Sequence, residues 1–301
     1  MTIVPPASGE PRRPSGPRDP GDAWVVADSG EKYWGRFGAA GLLAVDAERG
    51  ILLQHRVSWS HFGDTWALPG GARHEHESAR DGALRESAEE AGVPDGAIRS
   101  RFESVLDLGV WSYTTLVGDV VQPFEPVISD PESRALAWVP VDQVDDLPLH
   151  PAFEDSWPRL RDLLDVRPVV VVDVANVVGS VPDGWWKDRA GAARRLIDQL
   201  ERLSDRGMDA TALGLPETTW FPGFVAIVEG AGRSAEDSST DAVRVVAAER
   251  SGDDAIVAQT RELRAAGHEV RVVTSDRELA GRATDAGASV VGTSWLLGQL
   301  N

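Results

Sequence analysis

Three glutamates in one short segment are the residues of this chain most able to carry out chemistry. Glu86, Glu89 and Glu90 are spaced three and four positions apart from the first. On a helix with 3.6 residues per turn they stand at roughly 0°, 300° and 40°, so they share one face. An apolar stripe that includes Leu84 falls at roughly 140° to 200°, so we expect the glutamates to point away from the buried side of the helix. Like charges at this spacing cost a helix about 0.2 to 0.5 kcal/mol per pair, and a bound divalent cation would reverse that cost. An acidic run on a helix is more often a solvated face, so the spacing alone leaves both a solvated face and a cation site open.

The segment around these glutamates has a fixed spacing of glycines, acids and one arginine. It reads GARHEHESARDGALRESAEEAGV. The spacing resembles the Nudix box, and the matching residues are Gly71, Glu77, Arg85, Glu86, Glu89, Glu90, Gly92 and Val93. Ser87 departs from the pattern, because the family usually has an aliphatic residue at that position. The resemblance covers about residues 34 to 165.

The Nudix resemblance implies a hydrolase that cleaves the diphosphate linkage of a nucleoside diphosphate derivative. It implies that Glu86, Glu89 and Glu90 bind Mg²⁺ and that one of the last two helps to deprotonate water. Phosphoryl transfer needs charge neutralisation and a positioned water, and metal-bound carboxylates provide both. The resemblance also implies structural roles, namely two turn glycines and one ion pair, for Gly71, Gly92, Glu77 and Arg85.

Two arginines and several aromatic residues near the box are candidates for binding the nucleotide. Arg56 and Arg73 could bind phosphate oxygens, although a surface role for either is equally consistent with the sequence. Aromatic side chains can stack on a base without reading its identity. The candidates for that role are Trp59, Phe62, Trp66 and Trp111, and core packing is the better interpretation of Trp66.

A second set of polar residues follows apolar runs in the other half of the chain. The run VVVVDVANVVG ends a buried strand with Asp173 and Asn176, and Asp254 and Asp276 lie in the later segments GDDA and TSD. This arrangement resembles the NYN branch of PIN-like ribonucleases, over about residues 167 to 301. The resemblance implies that Asp173, Asp254 and Asp276, with Asn176 beside them, gather Mg²⁺ or Mn²⁺ to hydrolyse RNA. Helix capping by Ser251 and Ser275 would explain the last two acids equally well, but it does not explain Asp173.

The elements that must position these residues change in kind along the chain. The first half predicts short strands around one helix, which begins after Ser78 and ends at Gly92, and a closing helix that begins at Ser156. These strands are predicted at Gly41–Val45, Ile51–His55, Ser104–Leu108, Trp111–Val117 and Ala135–Val139. The second half alternates apolar strands with amphipathic helices. We therefore expect an α+β Nudix fold with a mixed sheet, followed by an α/β Rossmann-like PIN/NYN domain with a parallel sheet.

Length and composition agree with two domains and limit the classes of partner. A chain of 301 residues is long enough for two cores, and Pro168 follows a change of pattern. We predict a disordered tail over residues 1–21, a Nudix domain over 22–165 and a NYN/PIN-like domain over 166–301. The net charge of −18 argues against a general nucleic-acid or anionic-membrane binder, and the lack of cysteine excludes disulfides. No stretch is apolar enough to span a bilayer, so we expect a cytoplasmic protein of unspecified oligomeric state.

Three functional hypotheses follow from the sequence. The first is a Mg²⁺-dependent Nudix pyrophosphohydrolase, with a nucleoside triphosphate as the favoured substrate. The second is an RNA-processing enzyme in which pyrophosphate hydrolysis at a 5′ end is combined with ribonuclease activity of the second domain. The third is a regulator that senses a nucleotide without hydrolysing it.

Overall fold

The computed structural model describes residues 1–6, 19–129, 131–182, 184–240 and 242–300, apart from the side chains of residues 231, 234, 236 and 237. The chain forms two compact units, Met1–Leu164 and Asp165–Asn301. Within the described ranges, no helix is both long enough and apolar enough to cross a membrane.

A small antiparallel sheet begins the first unit. It contains β1 (Thr2–Val4), β2 (Trp24–Val26) and β3 (Lys32–Trp34). Pairing of Thr2 with Val26 corrects the prediction of a disordered tail for this part of residues 1–21. Backbone pairing, which composition does not report, is what orders the segment. Residues 7–18 of the predicted tail lie outside the described residues.

A larger mixed sheet forms the centre of the first unit. Its strands are β4 (Ala39–Asp46), β5 (Gly50–Arg56), β6 (Trp66–Ala67), β7 (Gly70–Ala72), β8 (Ile98–Asp107), β9 (Ser112–Val120) and β10 (Ser133–Val139). The order is β10-β5-β4-β9-β8, with β6 beside β5 and β7 beside β4. Strands β4 and β9 pair in parallel, whereas β10 with β5 and β8 with β9 are antiparallel. This sheet confirms the predicted mixed α+β fold.

The two helices of the first unit differ in how well the sequence predicted them. Helix α1 (Ala79–Ala91) begins after the Ser78 cap, whose side chain accepts a bond from the Asp81 N–H, and ends at Gly92 with φ 66°, as predicted. Helix α2 (Pro151–Asp162) was predicted wrongly, because it begins after a His150 cap and not at Ser156. Pro151 suits the first helical turn, where its missing N–H costs nothing. Ser156 instead lies inside the helix, and its hydroxyl donates to the backbone carbonyls of Ala152 and Phe153.

A five-stranded parallel sheet forms the second unit, which confirms the predicted alternation. Its order is β15-β14-β11-β16-β17, and every adjacent pair is parallel. The strands of the unit are β11 (Pro168–Asp173), β14 (Gly223–Val228), β15 (Val243–Ala247), β16 (Glu269–Val273) and β17 (Ser289–Val291), with a short antiparallel pair β12 (Met208–Asp209) and β13 (Thr219–Trp220). The helices are α3 (Val174–Gly179), α4 (Arg189–Arg206), α5 (Ala210–Leu213), α6 (Gly252–Ala265), α7 (Arg277–Asp285) and α8 (Thr293–Gln299).

The strand order of the second unit has a functional consequence. From β11 the chain adds β14 and then β15 on one side, and it later adds β16 and β17 on the other. In open α/β sheets the crevice at such a reversal lies at the carboxyl ends of the strands, and ligands bind there. Asp173 ends β11, and Asp276 follows β16 closely, so both lie at this reversal.

Candidate active site and a second group of acids

Two of the three box glutamates lie on the buried face of α1. Glu86 is 2% exposed and Glu90 is 4% exposed, whereas 43% of the Glu89 side chain is exposed. The helical spacing predicted that the glutamates face away from a buried apolar stripe that includes Leu84. This prediction was wrong, because Leu84 is only partly buried. The small side chains of this helix leave room for larger acidic ones to enter the interior. Buried acids are expensive unless a cation or hydrogen-bond donors compensate them, so their position indicates a function.

An ion pair between Arg85 and Glu77 joins the helix to the loop before it. Arg85 Nε donates to Glu77 Oε1 at 2.8 Å, and Arg85 Nη2 donates to Glu77 Oε2 at 2.9 Å. Glu77 also accepts a bond from the His74 N–H at 2.9 Å. Burial alone would raise the Glu77 pKa, but the bonds from Arg85 and His74 outweigh it, so the pKa is lowered. The glutamate is therefore charged at neutral pH and fixes the loop against the helix.

Arg85 and a backbone amide hold the oxygens of the three glutamates. Arg85 Nη1 lies 2.7 Å from Glu86 Oε1 and 3.5 Å from Glu89 Oε2. The Gly70 N–H donates to Glu90 Oε2 at 2.9 Å. Among the residues that the structure describes, no three acidic or histidine side chains form a ready-made metal site. The expected gathering of Glu86, Glu89 and Glu90 into one ligand set is therefore absent from this arrangement.

The chemistry of these donors nevertheless fits a divalent cation. Mg²⁺ prefers carboxylate oxygens, and three carboxylates on one helix offer them within a short stretch of chain. Glu86 and Glu90 are also buried, and Arg85 contacts Glu86 at 2.7 Å. A bound cation would offset the negative charge that two buried carboxylates bring to one helix.

Glycines allow the chain to approach the acids closely. A Cβ on Gly70 would lie 2.5 Å from Ala40 O and 2.5 Å from Gly41 Cα, so only glycine fits between β7 and β4. Gly71 pairs with Ala40 in the same ladder. Gly82, which is unfavourable inside a helix, is also explained, because a Cβ there would meet Glu77 Oε2 at 3.0 Å. Ser87, at the usually aliphatic position, is fully buried and donates to Leu84 O at 2.9 Å.

The two candidate arginines have different surroundings. Arg73 donates to the backbone carbonyl of Glu77, which ties it to the box loop. Arg56 ends β5, and its Nε donates to His61 O at 3.3 Å. Burial raises the pKa of Tyr113, the charge of Glu90 adds to that shift, and the charge of Arg56 opposes it. A phosphate contact by either arginine stays a prediction.

Asp173 and Asn176 of the second unit lie within a set of hydrogen bonds at the carboxyl end of β11. Asp173 accepts bonds from the Asn176 N–H at 3.1 Å and from Thr274 Oγ1 at 3.1 Å. Burial raises its pKa, and the charges of Asp253 and Glu229 add to that shift. Asn176 Oδ1 accepts a bond from the Ser275 N–H at 2.9 Å, which joins α3 to the end of β16.

Asp253 belongs to this group, and the adjacent Asp254 does not. We call the group of Asp173, Asp253, Asp276 and Glu229 the acidic edge of the second unit. Asp254 is 71% exposed and forms an ion pair with Arg282, which corrects its placement in this group. Burial, Asp276 and Glu229 raise the pKa of Asp253, whereas Arg282 lowers it. On a helix, neighbouring residues point about 100° apart, so a motif of two aspartates cannot show which one faces the sheet. Glu229 was missed because it follows β14, and only the fold brings that strand beside β11.

Comparison with known proteins addresses the first unit. The NUDIX domain model matches residues 35–163. A relative from Mycobacterium tuberculosis, named putative 8-oxo-dGTP diphosphatase 3, is 47% identical over 171 residues, which are 54% of this chain and 76% of the relative. The chain belongs to the Nudix family. Like the relatives that it resembles, this Nudix protein is a hydrolase that acts on phosphoric anhydride bonds.

Two further relatives share the Nudix part. A nucleoside triphosphate pyrophosphatase/Nudix hydrolase fusion protein from Bifidobacterium longum is 41% identical over 157 residues, which are 48% of this chain and 32% of the relative. The crystal structure of RenU, a Nudix hydrolase from M. smegmatis, is 46% identical, and the match covers 48% of this chain and 94% of that one with a TM-score of 0.45.

Proposed function

We propose that the protein is a Mg²⁺-dependent pyrophosphohydrolase of a nucleoside triphosphate. The observation that carries this proposal is the burial of Glu86 and Glu90 inside a helix, where neither residue is a cap. The relative's name, 8-oxo-dGTP diphosphatase, supports a nucleoside triphosphate as the substrate class. Mn²⁺ is the alternative ion, because it accepts the same oxygen ligands.

The box residues and the neighbouring arginines have different roles in this reaction. Glu86, Glu89 and Glu90 would hold the ion, and Glu89 or Glu90 would accept the proton of the attacking water. The ion would neutralise phosphate charge and make its bound water more acidic. Arg56 binds phosphate oxygens, and Arg73 is a second candidate for that contact. The ion pair of Glu77 with Arg85 fixes the loop against the helix, Gly71 lies in β7 before that loop, and Gly92 ends the helix.

We further propose that residues 22–165 are the Nudix domain and that residues 166–301 are a Rossmann-like domain of the NYN/PIN type. The parallel sheet and the position of Asp173 at the reversal of strand order support the second assignment. In this proposal Asp173, Asp253 and Asp276, with Asn176, hold a divalent ion for cutting RNA. RNA processing is the alternative function that this second group favours, and nucleotide sensing without turnover is the other.

Hydrolysis of a nucleotide panel with Mg²⁺ tests these proposals. Intact protein is compared with Glu89→Gln and Asp173→Asn, and a short single-stranded RNA is included. Glu201→Gln is the control, because Glu201 is a partly exposed glutamate on a helix of the second unit. We expect Glu89→Gln alone to abolish nucleotide turnover. RNA cleavage that is lost in Asp173→Asn would support the RNA-processing alternative, and tight nucleotide binding without turnover would support a sensor.

A further inference from the structure

The loop between β5 and β6 exposes two large aromatic side chains. This aromatic loop comprises residues 57–65. Trp59 is 54% exposed and Phe62 is 46% exposed. Burial of an aromatic side chain stabilises a fold, so two exposed rings within nine residues are surface that the fold itself does not use. Exposed aromatic rings that adjoin a polar site are candidates for ligand contact.

Hydrogen bonds hold the aromatic loop in one conformation. The Gly63 N–H donates to Ser60 O at 2.9 Å, and Thr65 Oγ1 donates to Phe62 O at 2.6 Å. Phe62 has φ 54° and Asp64 has φ 59°, which places both in the left-handed region. This region is unfavourable for residues other than glycine, so the surrounding hydrogen bonds must maintain the shape. The loop therefore presents its rings without having to be ordered by a ligand.

Two uncharged histidines support the ring of Phe62. The ring centroids of His61 and Phe62 are 4.3 Å apart, and those of Phe62 and His150 are 4.8 Å apart, both edge to face. Desolvation and the charge of Arg56 lower the pKa of His61. Burial, Arg56 and His61 lower the pKa of His150 to about 4. At neutral pH this surface is aromatic and carries no histidine charge, which suits a flat, neutral ligand.

Arg56 links the aromatic loop to the box glutamates. Its Nε donates to His61 O at 3.3 Å. Its charge acts on His61 and His150 on the loop side, and on Tyr113, which also experiences Glu90. Arg56 therefore contacts the aromatic loop, and it ends β5 in the same sheet as β7, whose Gly70 N–H donates to Glu90. A molecule with phosphates at one end and a ring at the other matches this sequence of surfaces.

We propose that the aromatic loop is the nucleobase-binding element of the hydrolase and that Trp59 and Phe62 stack on the base. The loop is then the part of the site that decides specificity, and it favours purines, whose two fused rings offer more stacking surface than one. This inference rests on the proposed nucleoside triphosphatase function. Base stacking on an aromatic residue contributes about 1 to 3 kcal/mol, which corresponds to about a 5- to 150-fold change in affinity.

The test compares Trp59→Ala and Phe62→Ala with intact protein. Trp186→Ala is the matched control, because Trp186 is 58% exposed on the other unit. The substrates are a purine and a pyrimidine nucleoside triphosphate, and inorganic tripolyphosphate serves as a competing inhibitor without a base. We expect KM for the purine to rise about tenfold or more with kcat nearly unchanged, the purine preference to shrink, and the inhibition constant of tripolyphosphate to stay constant. Trp59→Phe should restore most of the affinity.

Two results would overturn the inference. One is an unchanged KM for the purine in both alanine variants. The other is an equal loss of affinity for tripolyphosphate, which would mean that the loop only supports the phosphate site. Calorimetric titration of the purine nucleotide with Ca²⁺ separates this inference from the function. Binding that Trp59→Ala weakens, in a protein that hydrolyses no nucleotide, keeps the loop assignment and rejects the hydrolase proposal, whereas absence of binding to intact protein rejects both.

Discussion

The two units each bring acidic side chains together, but in different ways. In the first unit, Glu86 and Glu90 lie within one helix, and both are buried without serving as a cap. In the second unit, Asp173 and Asp276 lie at the ends of different strands, and each is the N-cap of the helix that follows. Helix capping therefore accounts for part of the second group, whereas Glu86 and Glu90 cap no helix end. Buried carboxylates inside a helix are the stronger sign of chemistry.

Neutralising one buried glutamate should give the largest effect and is the most direct way to break this comparison. We expect Glu90→Gln to reduce kcat/KM for a nucleoside triphosphate about 100-fold or more, because an acid at this position binds the ion or accepts a proton. Asp173→Asn should leave the same constant within about twofold, because Asp173 is outside the proposed nucleotide site. Thermal unfolding monitors folding of both variants. Equal losses in the two variants would contradict the separation of the sites.

Breaking the Arg85–Glu77 pair should affect stability next most strongly. Both side chains are mostly buried, with 21% and 13% exposed, and their contact is bidentate. We expect Arg85→Met to cost about 3 kcal/mol in the free energy of unfolding, because it leaves Glu77 and Glu86 without their partner. Urea titration measures the loss. Adding Glu77→Gln to the same chain should recover part of it, and strictly additive losses would show that the two residues do not act as a pair.

Sequence patterns predicted the carboxylate helix more fully than they predicted its neighbours. Ser78, Gly92 and the glutamate spacing are local features, so they located α1 correctly. Which face of α1 is buried depends on the elements that pack against it. Helical spacing alone therefore predicted that Glu86 and Glu90 face away from the interior, whereas both are buried. Thr2–Val4 was missed for a related reason, since its partner strand is more than twenty residues away.

The second unit shows the same limit at its acidic edge. Alternating apolar and amphipathic segments predicted its five parallel strands and four of its helices, because both periods are local, but they did not predict the short elements α3, α5, β12 and β13. The proximity of Asp173 to Asp253 and Glu229 arises only from the order β14-β11-β16, which no single segment contains. Choosing Asp254 over Asp253 was wrong for the same reason, since the direction of the helix axis decides which one faces inward.

Acid should destabilise the chain through His150, which belongs to the first unit. His150 has its pKa lowered to about 4, so protonation below the unfolded value near 6.5 favours the unfolded chain. We expect acidification from about pH 6.5 toward pH 4 to reduce stability through His150 by up to about 3 kcal/mol, less where solvent screens it. His150→Asn keeps a cap acceptor without titrating in this range. Asp119, with its pKa raised to about 6, makes the folded chain more stable as pH falls, and it does so equally in the intact protein and in His150→Asn. The quantity to measure is therefore the difference in unfolding free energy between these two proteins as a function of pH. A constant difference would contradict the prediction.

The smallest expected effects separate capping from charge at the acidic edge of the second unit. Asp276 accepts bonds from the Glu278 and Leu279 N–H groups, so Asp276→Ala should cost about 1 kcal/mol by removing a helix cap. Asp173→Asn keeps a cap acceptor and removes a charge whose pKa is raised by burial, so it should not destabilise the chain at pH 7 and should stabilise it slightly. The advantage should shrink as pH falls, because Asp173 is then protonated more readily in the folded chain than in the unfolded one. Urea titrations at pH 7 and pH 4.5 measure both variants. If Asp173→Asn destabilised the chain as much as Asp276→Ala at pH 7, the charged form of Asp173 would be stabilising, and the acidic edge would be a capping arrangement with no excess charge for a cation to neutralise.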